Sequence, residues 1–193
     1  MYIKKPENWL MQSIVIVALE SEFPPIQIND FRVIYSGVGK INAARTTTEA
    51  ILQFQPNRII NIGSVGVLDV KRLGTVMQVN QVIERDMNAV PLSPRGQVPF
   101  DKSPHQFFSV TPGLTCATGD SFVTKRDHWL ISNNVDMVDM ELFAIAKISS
   151  HYRIPWISLK FGTDLADGNA SENWSGNLIN AQSALFEALS QLS

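Results

Sequence analysis

Three carboxylates stand where short apolar runs begin or end. Glu22 closes Glu20-Ser21-Glu22 after the run 13–19, Glu141 lies in Asp139-Met140-Glu141-Leu142-Phe143-Ala144, and Asp164 ends Gly162-Thr163-Asp164 after the run 156–161. A carboxylate next to buried apolar segments must face a cavity or hold a partner, because an unpaired buried charge is very costly. Carboxyl groups in unlike surroundings can divide acid and base roles between them. Two of them also have a plain structural use, Asp164 as a turn cap and Glu141 as a partner for a helix dipole. Two glycine-bearing turns accompany them, Ser36-Gly37-Val38-Gly39 and Gly63-Ser64-Val65-Gly66. Glycine lets a backbone come close to a ligand, and in open α/β sheets ligands bind beyond the carboxyl ends of the strands. Neither turn has the spacing of the dinucleotide fingerprint or of the phosphate loop.

The groups are carried by short β-branched runs that alternate with helical patterns. Strands are expected at 13–19, 31–35, 58–62, 75–83, 107–110, 114–117 and 156–161. Helices are expected over 40–54, with Ile41, Ala44, Thr48, Ile51 and Leu52 on one stripe, over 139–151, and over about 173–191, with Leu178, Ala181, Leu185, Ala188 and Leu192 on one stripe. Residues 86–105 hold Pro91, Pro94, Gly96, Pro99 and Pro104 and read as a long loop, which is usually functional or mobile. The alternation indicates an α/β sheet with helices on both faces. No repeat or linker divides the chain, so a single domain over 1–193 is expected, with 1–12 as an N-terminal extension.

Composition narrows the function classes. The chain has 193 residues, 45% of them hydrophobic, and 16 Lys+Arg against 18 Asp+Glu, a formal net charge of −2. That length buries a full core without a staple, and the balanced charge gives no electrostatic footprint for nucleic acid. One cysteine, Cys116, excludes an internal disulfide and a cysteine-rich zinc site. Lys4, Lys5 and the apolar stretch after Trp9 loosely mimic a signal peptide, but Gln12 and Ser13 interrupt it and Glu20 and Glu22 follow where small cleavage-site residues belong. No stretch approaches the ~18 apolar residues of a membrane span. A cytoplasmic protein is expected.

Taken in order, Ala18-Leu19-Glu20-Ser21-Glu22, Ser36-Gly37-Val38-Gly39-Lys40-Ile41-Asn42, Asn61-Ile62-Gly63-Ser64-Val65-Gly66, Thr118-Gly119-Asp120-Ser121-Phe122, Asp139-Met140-Glu141 and Thr163-Asp164-Leu165-Ala166-Asp167-Gly168 resemble the nucleoside phosphorylase superfamily. Within it they are most similar to the methylthioadenosine/S-adenosylhomocysteine nucleosidases, and the segment from Lys160 to Gly168 looks like the plant members. The resemblance implies a nucleoside phosphorylase-like fold, a three-layer domain with a twisted mixed central sheet flanked by helices. It implies hydrolysis of the bond between adenine N9 and ribose, with a small-molecule nucleoside as partner, no cofactor or metal, and a homodimer.

By the same resemblance Asp164 is the general acid toward adenine N7, and Glu22 orients and deprotonates the attacking water. Glu141 binds the ribose hydroxyls with Met140 packed on the sugar. Phe122 stacks on the purine, and the backbone at Val123 pairs with the base edge. Ser64, Val65 and Gly66 line the ribose and water side, and Leu19 and Val38 form the pocket for the 5′-alkylthio group. Superfamily phosphorylases carry an arginine two residues before the Gly-Ser turn, where this chain has Asn61, so water is the expected acceptor. Phosphorolysis of a purine nucleoside, hydrolysis of futalosine, and a non-catalytic nucleoside-binding role are the alternatives. The chain also departs from the pattern: only Phe23-Pro24-Pro25-Ile26-Gln27-Ile28-Asn29-Asp30 stand between Glu22 and Phe31, where the family has a helix and a hairpin, and the helix before Thr118 is not expected here. Lys160 replaces the arginine usual near the water, keeping the charge without the planar fork.

Overall fold

The computed structural model describes residues 13–25, 31–167 and 170–192, with the side chains of 170–176 outside that description. The N-terminal extension 1–12, residues 26–30 and Gly168 therefore lie outside the described residues. β1 (Ser13–Val17) is buried at every position, as its unbroken apolar run requires of a strand covered on both faces. It pairs in parallel with β2 (Phe31–Tyr35) on one edge and with β3 (Arg58–Val67) on the other. The far edge of β3 pairs in parallel with β8 (Trp156–Asp164).

From β8 the sheet continues through β4 (Val76–Glu84), antiparallel, then β6 (Leu114–Thr118) and β7 (Met137–Asp139), both parallel to their neighbours. β7 pairs antiparallel with the last residues of β3, so β3, β7, β6, β4 and β8 close into a barrel-like ring. β5 (Gln106–Phe108) adds to β4. The mixed sheet flanked by helices agrees with the expected architecture. The closure was not expected, because it depends on β3 exchanging β1 for β7 part-way along its length. That exchange coincides with a bulge: Val65 lies opposite Gly162 and Gly66 opposite Asp164, leaving Thr163 as the extra residue. Bulges bend a strand and re-aim side chains. The stretch Gly63-Ser64-Val65-Gly66 is consequently strand, not the turn expected from its glycines.

α1 (Lys40–Phe54) and α3 (Leu142–His151) cover one face of the sheet, over Ile14, Ile16 and Ile59. α4 (Ala170–Ser190) covers the other through Ala181, Leu185 and Leu189. The buried stripe of α1 is Ala43, Thr46, Thr47, Ala50 and Ile51, whereas Ile41 and Leu52 are exposed. The expected stripe is thus rotated toward small residues, which let α3 approach closely. A short helix, α2 (His128–Ser132), seats Leu130 in a third cluster with Ala117, Val123, Val138 and Ala166.

One expected helix starts later than its sequence suggests. Residue 139 ends β7, and α3 begins at Leu142, because the Asp139 carboxylate accepts the Leu142 N–H at 2.9 Å and so caps the helix from the strand. Between β4 and β6 the described residues hold β5 and no helix, in line with the loop read over 86–105. No described helix is long and apolar enough to cross a membrane.

Candidate active site

The bulge at the β3–β8 boundary sets the first carboxylate. Asp164, the last residue of β8, is buried; its Oδ1 accepts the Ala166 N–H at 2.9 Å, and Thr163 Oγ1 donates to its Oδ2 at 3.0 Å. A Cβ added at Gly66 would lie 2.7 Å from Asp164 Oδ1 and 3.1 Å from the Ala166 Cβ, so glycine at this position is what leaves room for the acid. Burial raises the pKa of Asp164, with a smaller contribution from Asp167, against the two donors. A carboxyl biased toward its protonated form can act as a proton donor near neutral pH.

Glu22 comes from the turn after β1. Despite Pro24-Pro25, its carboxylate is buried and directed at β3: Oε1 accepts the Ser64 N–H at 2.9 Å and also the Ser64 hydroxyl, while Oε2 accepts the Leu19 N–H at 3.3 Å. Glu141 stands just before α3 and makes no helix-capping bond. Its Oε1 instead accepts the Gly39 N–H at 2.8 Å, from the glycine turn before α1. Burial, and then the neighbouring Asp139 carboxylate, push Glu141 up to about 7, against the pull of Lys160 and the Gly39 N–H.

Under these groups lies a buried ion pair. Lys160 Nζ donates to Asp139 Oδ2 at 2.9 Å, with both side chains essentially inaccessible. Asp139 Oδ1 accepts from Thr118 Oγ1 at 2.5 Å, and Thr118 Oγ1 in turn accepts the Phe143 N–H at 2.9 Å. Burial alone would neutralise both charges; the pairing outweighs it, holding the Asp139 pKa below and the Lys160 pKa above their ordinary values. Nζ of Lys160 also lies near Glu22, since both would sit within 4 Å of a Cβ at Gly63.

Asp164, Glu22 and Glu141 line one cavity of about 310 Å³. Ser64, Val65 and Gly66 of β3 line it as well, as do Met140, Leu19 and Val38, and Phe122 with Val123 from the loop after β6. Every residue given a catalytic or substrate-binding role in the sequence therefore meets in this one space, whereas Asn61 and Lys160 lie outside its lining. Phe122 is 52% and Val38 42% exposed, so the apolar walls open outward while the carboxylates stay buried. The sequence reading missed Ala18, Arg85, Ser121, Val138, Asp139 and Ala166, which also line the cavity. Most of these lie within or beside the segments quoted above. Arg85 does not; it follows β4 at the edge of the proline-rich loop, where nothing local marks it. A concave, mainly apolar cavity with a few convergent polar groups suits a small organic ligand. Among the described residues no cluster of His, Cys, Asp and Glu is arranged to hold a metal ion.

The sequence model of the Phosphorylase superfamily matches residues 29–192. A 5′-methylthioadenosine/S-adenosylhomocysteine nucleosidase of Staphylococcus haemolyticus is 31% identical over 178 aligned positions, covering 80% of this chain and 78% of that protein. One of Staphylococcus aureus is 33% identical over 170 positions, covering 76% and 73%. Among solved structures, the S-adenosylhomocysteine nucleosidase of Streptococcus pyogenes bound to 5-methylthiotubericidin superposes with a TM-score of 0.81 at 23% identity, covering 95% of this chain and 96% of that one. The futalosine hydrolase of Helicobacter pylori gives 0.81 at 21% identity, covering 94% and 97%.

Proposed function

The chain belongs to the 5′-methylthioadenosine/S-adenosylhomocysteine nucleosidase family of the phosphorylase superfamily, and we propose that it hydrolyses the N-glycosidic bond of methylthioadenosine, S-adenosylhomocysteine or a related adenine nucleoside. The products are adenine and a ribose derivative, which is 5-methylthioribose where the substrate is methylthioadenosine. The observation that carries the reading is the convergence of three buried carboxylates on one cavity, with burial favouring the protonated form of Asp164 and Glu141.

Cleavage of the bond leaves positive charge on the sugar and negative charge on the base. Asp164 gives its proton to N7, so that adenine departs neutral. Glu22, tethered to Ser64, orients the water that attacks C1′ and takes its proton. This division of labour between two carboxyl groups parallels glycoside hydrolysis. Glu141, once ionised, accepts the ribose hydroxyls beside Met140. Phe122 stacks on the purine, the Val123 backbone meets the base edge, and Val65 and Gly66 border the ribose. Leu19 and Val38 enclose the 5′-alkylthio group.

Water is favoured over phosphate because Asn61 is committed to the fold. It is buried; its Nδ2 donates to the Ile16 carbonyl at 3.1 Å, and its Oδ1 accepts the Ser158 hydroxyl at 3.0 Å. The proposal extends to a cytoplasmic homodimer acting in methionine salvage. Exposed Val90, Leu92 and Phe100 in the proline-rich loop supply an apolar surface for a second copy.

The test is release of the free base, adenine from methylthioadenosine, S-adenosylhomocysteine and adenosine and hypoxanthine from inosine and futalosine, each with and without phosphate. Phosphate-independent release of adenine from a thioether nucleoside is expected. Phosphate-dependent release identifies a phosphorylase, preferential cleavage of futalosine reassigns the substrate, and ligand binding without cleavage supports a binding protein.

A further inference from the structure

Phe122 poses a mechanical problem. A ring that serves as a stacking face cannot also be packed against the core, and Phe122 is half exposed. Its position must therefore be fixed by the backbone before it, the turn Gly119-Asp120-Ser121. This turn is gripped from two sides by residues at the end of β4. Arg85 Nη2 donates to the Gly119 carbonyl at 2.7 Å and also to the Ser121 carbonyl, and Nη1 donates to Ser121 Oγ at 3.2 Å. On the other side Asp86 Oδ2 accepts the Asp120 N–H at 2.8 Å, and Asp120 Oδ1 accepts the Lys40 N–H at 2.8 Å. The Lys40 ammonium closes the arrangement with bonds to Glu84, at 2.5 Å, and to Asp86.

The fit is close as well as polar. A Cβ at Gly119 would stand 2.9 Å from Arg85 Cγ and Cζ and from Asp86 Cγ, so the turn lies directly against both side chains. Arg85 is itself buried and borders the cavity. It is anchored in turn, since its N–H donates to the Thr118 carbonyl at 2.8 Å and its carbonyl accepts Arg95 Nε at 2.6 Å. A planar guanidinium can hold two carbonyls and a hydroxyl in one fixed geometry, which an ammonium cannot.

We propose that Arg85 is a positioning residue that fixes the purine-stacking face of Phe122 by gripping the Gly119-Asp120-Ser121 turn, with the Lys40–Asp86–Asp120 arrangement as its counterpart on the opposite side. The assignment rests on the nucleosidase reading for the identity of the base. Arg85 acts through Phe122 and contributes to binding of the adenine half of the substrate, not the thioribose half.

Calorimetric titration of Arg85→Met and Arg85→Lys with adenine and, separately, with 5-methylthioribose tests this. Arg85→Met should raise the Kd for adenine at least tenfold and leave that for methylthioribose within about twofold, and Arg85→Lys should fall between Arg85→Met and wild type. An unchanged adenine Kd, or an equal loss for both ligands, overturns the proposal. Should Arg85→Met fail to fold, Asp120→Ala removes the acceptor of the Lys40 N–H at a more exposed side chain and should weaken adenine severalfold under the same criterion. Failure of the parent reading is separable. Wild-type protein that binds adenine but cleaves no nucleoside contradicts only the enzyme, and wild-type protein that does not bind adenine overturns both.

Discussion

The cavity has two kinds of wall. Asp164 and its neighbours Gly66 and Thr163 are parts of β3 and β8, and Glu22 is tied to β3 through Ser64, so one side is built from the interior of the sheet. Val38 and Phe122 sit on turns and are about half exposed, whereas Asp164, Glu22 and Glu141 are each less than a tenth exposed. The difference follows from what each wall does. A carboxyl that must change its proton affinity needs burial and fixed partners, which the strands supply to Asp164 and Glu22 and the Gly39 turn to Glu141. An apolar surface that must receive a ligand has to stay uncovered until the ligand arrives, and only a turn can hold it there.

Substitutions should separate the two walls, the sheet side answering in kcat and stability and the turn side in KM. The largest effect is expected from Asp164→Asn, which keeps the shape but removes the proton. Its kcat should drop by about 10³-fold with the fold intact, and steady-state kinetics alongside circular dichroism would check this. Gly66→Ala comes next. The added methyl meets Asp164 Oδ1 at 2.7 Å, and the Val138 and Ala166 side chains at just over 3 Å. It should lower stability by roughly 1–3 kcal/mol and kcat by about 10²-fold through displacement of the acid, measurable by denaturant melts and kinetics.

On the turn side, Phe122→Ala should raise KM about tenfold by removing a base-stacking face. Its stability should stay within about 0.5 kcal/mol of wild type, as for exposed positions generally. An equal loss of stability would erase the distinction between the walls. Val38→Ala should raise KM for methylthioadenosine by only about fivefold, near 1 kcal/mol of lost apolar contact, and should affect adenosine less.

The smallest effect is on pH. Glu141 must be ionised to accept hydroxyl donors, and its pKa is pushed up to about 7, so kcat/KM should climb with pH and stand about twofold below its plateau at pH 7. Asp164 must be protonated, and burial raises its pKa, so the acid should be lost only above the usual carboxylate range. A kcat/KM profile of wild type against Glu141→Gln would test the first limb, which the variant should lack.

The sequence disclosed the two walls unequally. The alternation of β-branched runs and helices was enough for an α/β sheet, and the bounds of α1 agree residue for residue. β7 was hidden because three residues carry no periodicity. The closure of the ring could not be read because it depends on the register of distant strands and on the Thr163 bulge. The carboxylates were legible as charges misplaced among apolar segments. Arg85 was not, since an arginine at the start of a loop looks solvated until β4 and β6 are brought side by side. The pairing of β7 with β6, which sets Asp139 opposite Thr118, likewise explains why Asp139 was read as a helix residue when it is the strand end that holds Lys160.

The most direct test of the central claim is to run the reaction on methylthioadenosine with inorganic phosphate present and to weigh the sugar product. If Glu22 delivers water to C1′ while Asp164 protonates the base, the sugar should be unphosphorylated 5-methylthioribose, in equal amount with adenine. A phosphorylated sugar, or an intact nucleoside after prolonged incubation with folded protein, would contradict the account.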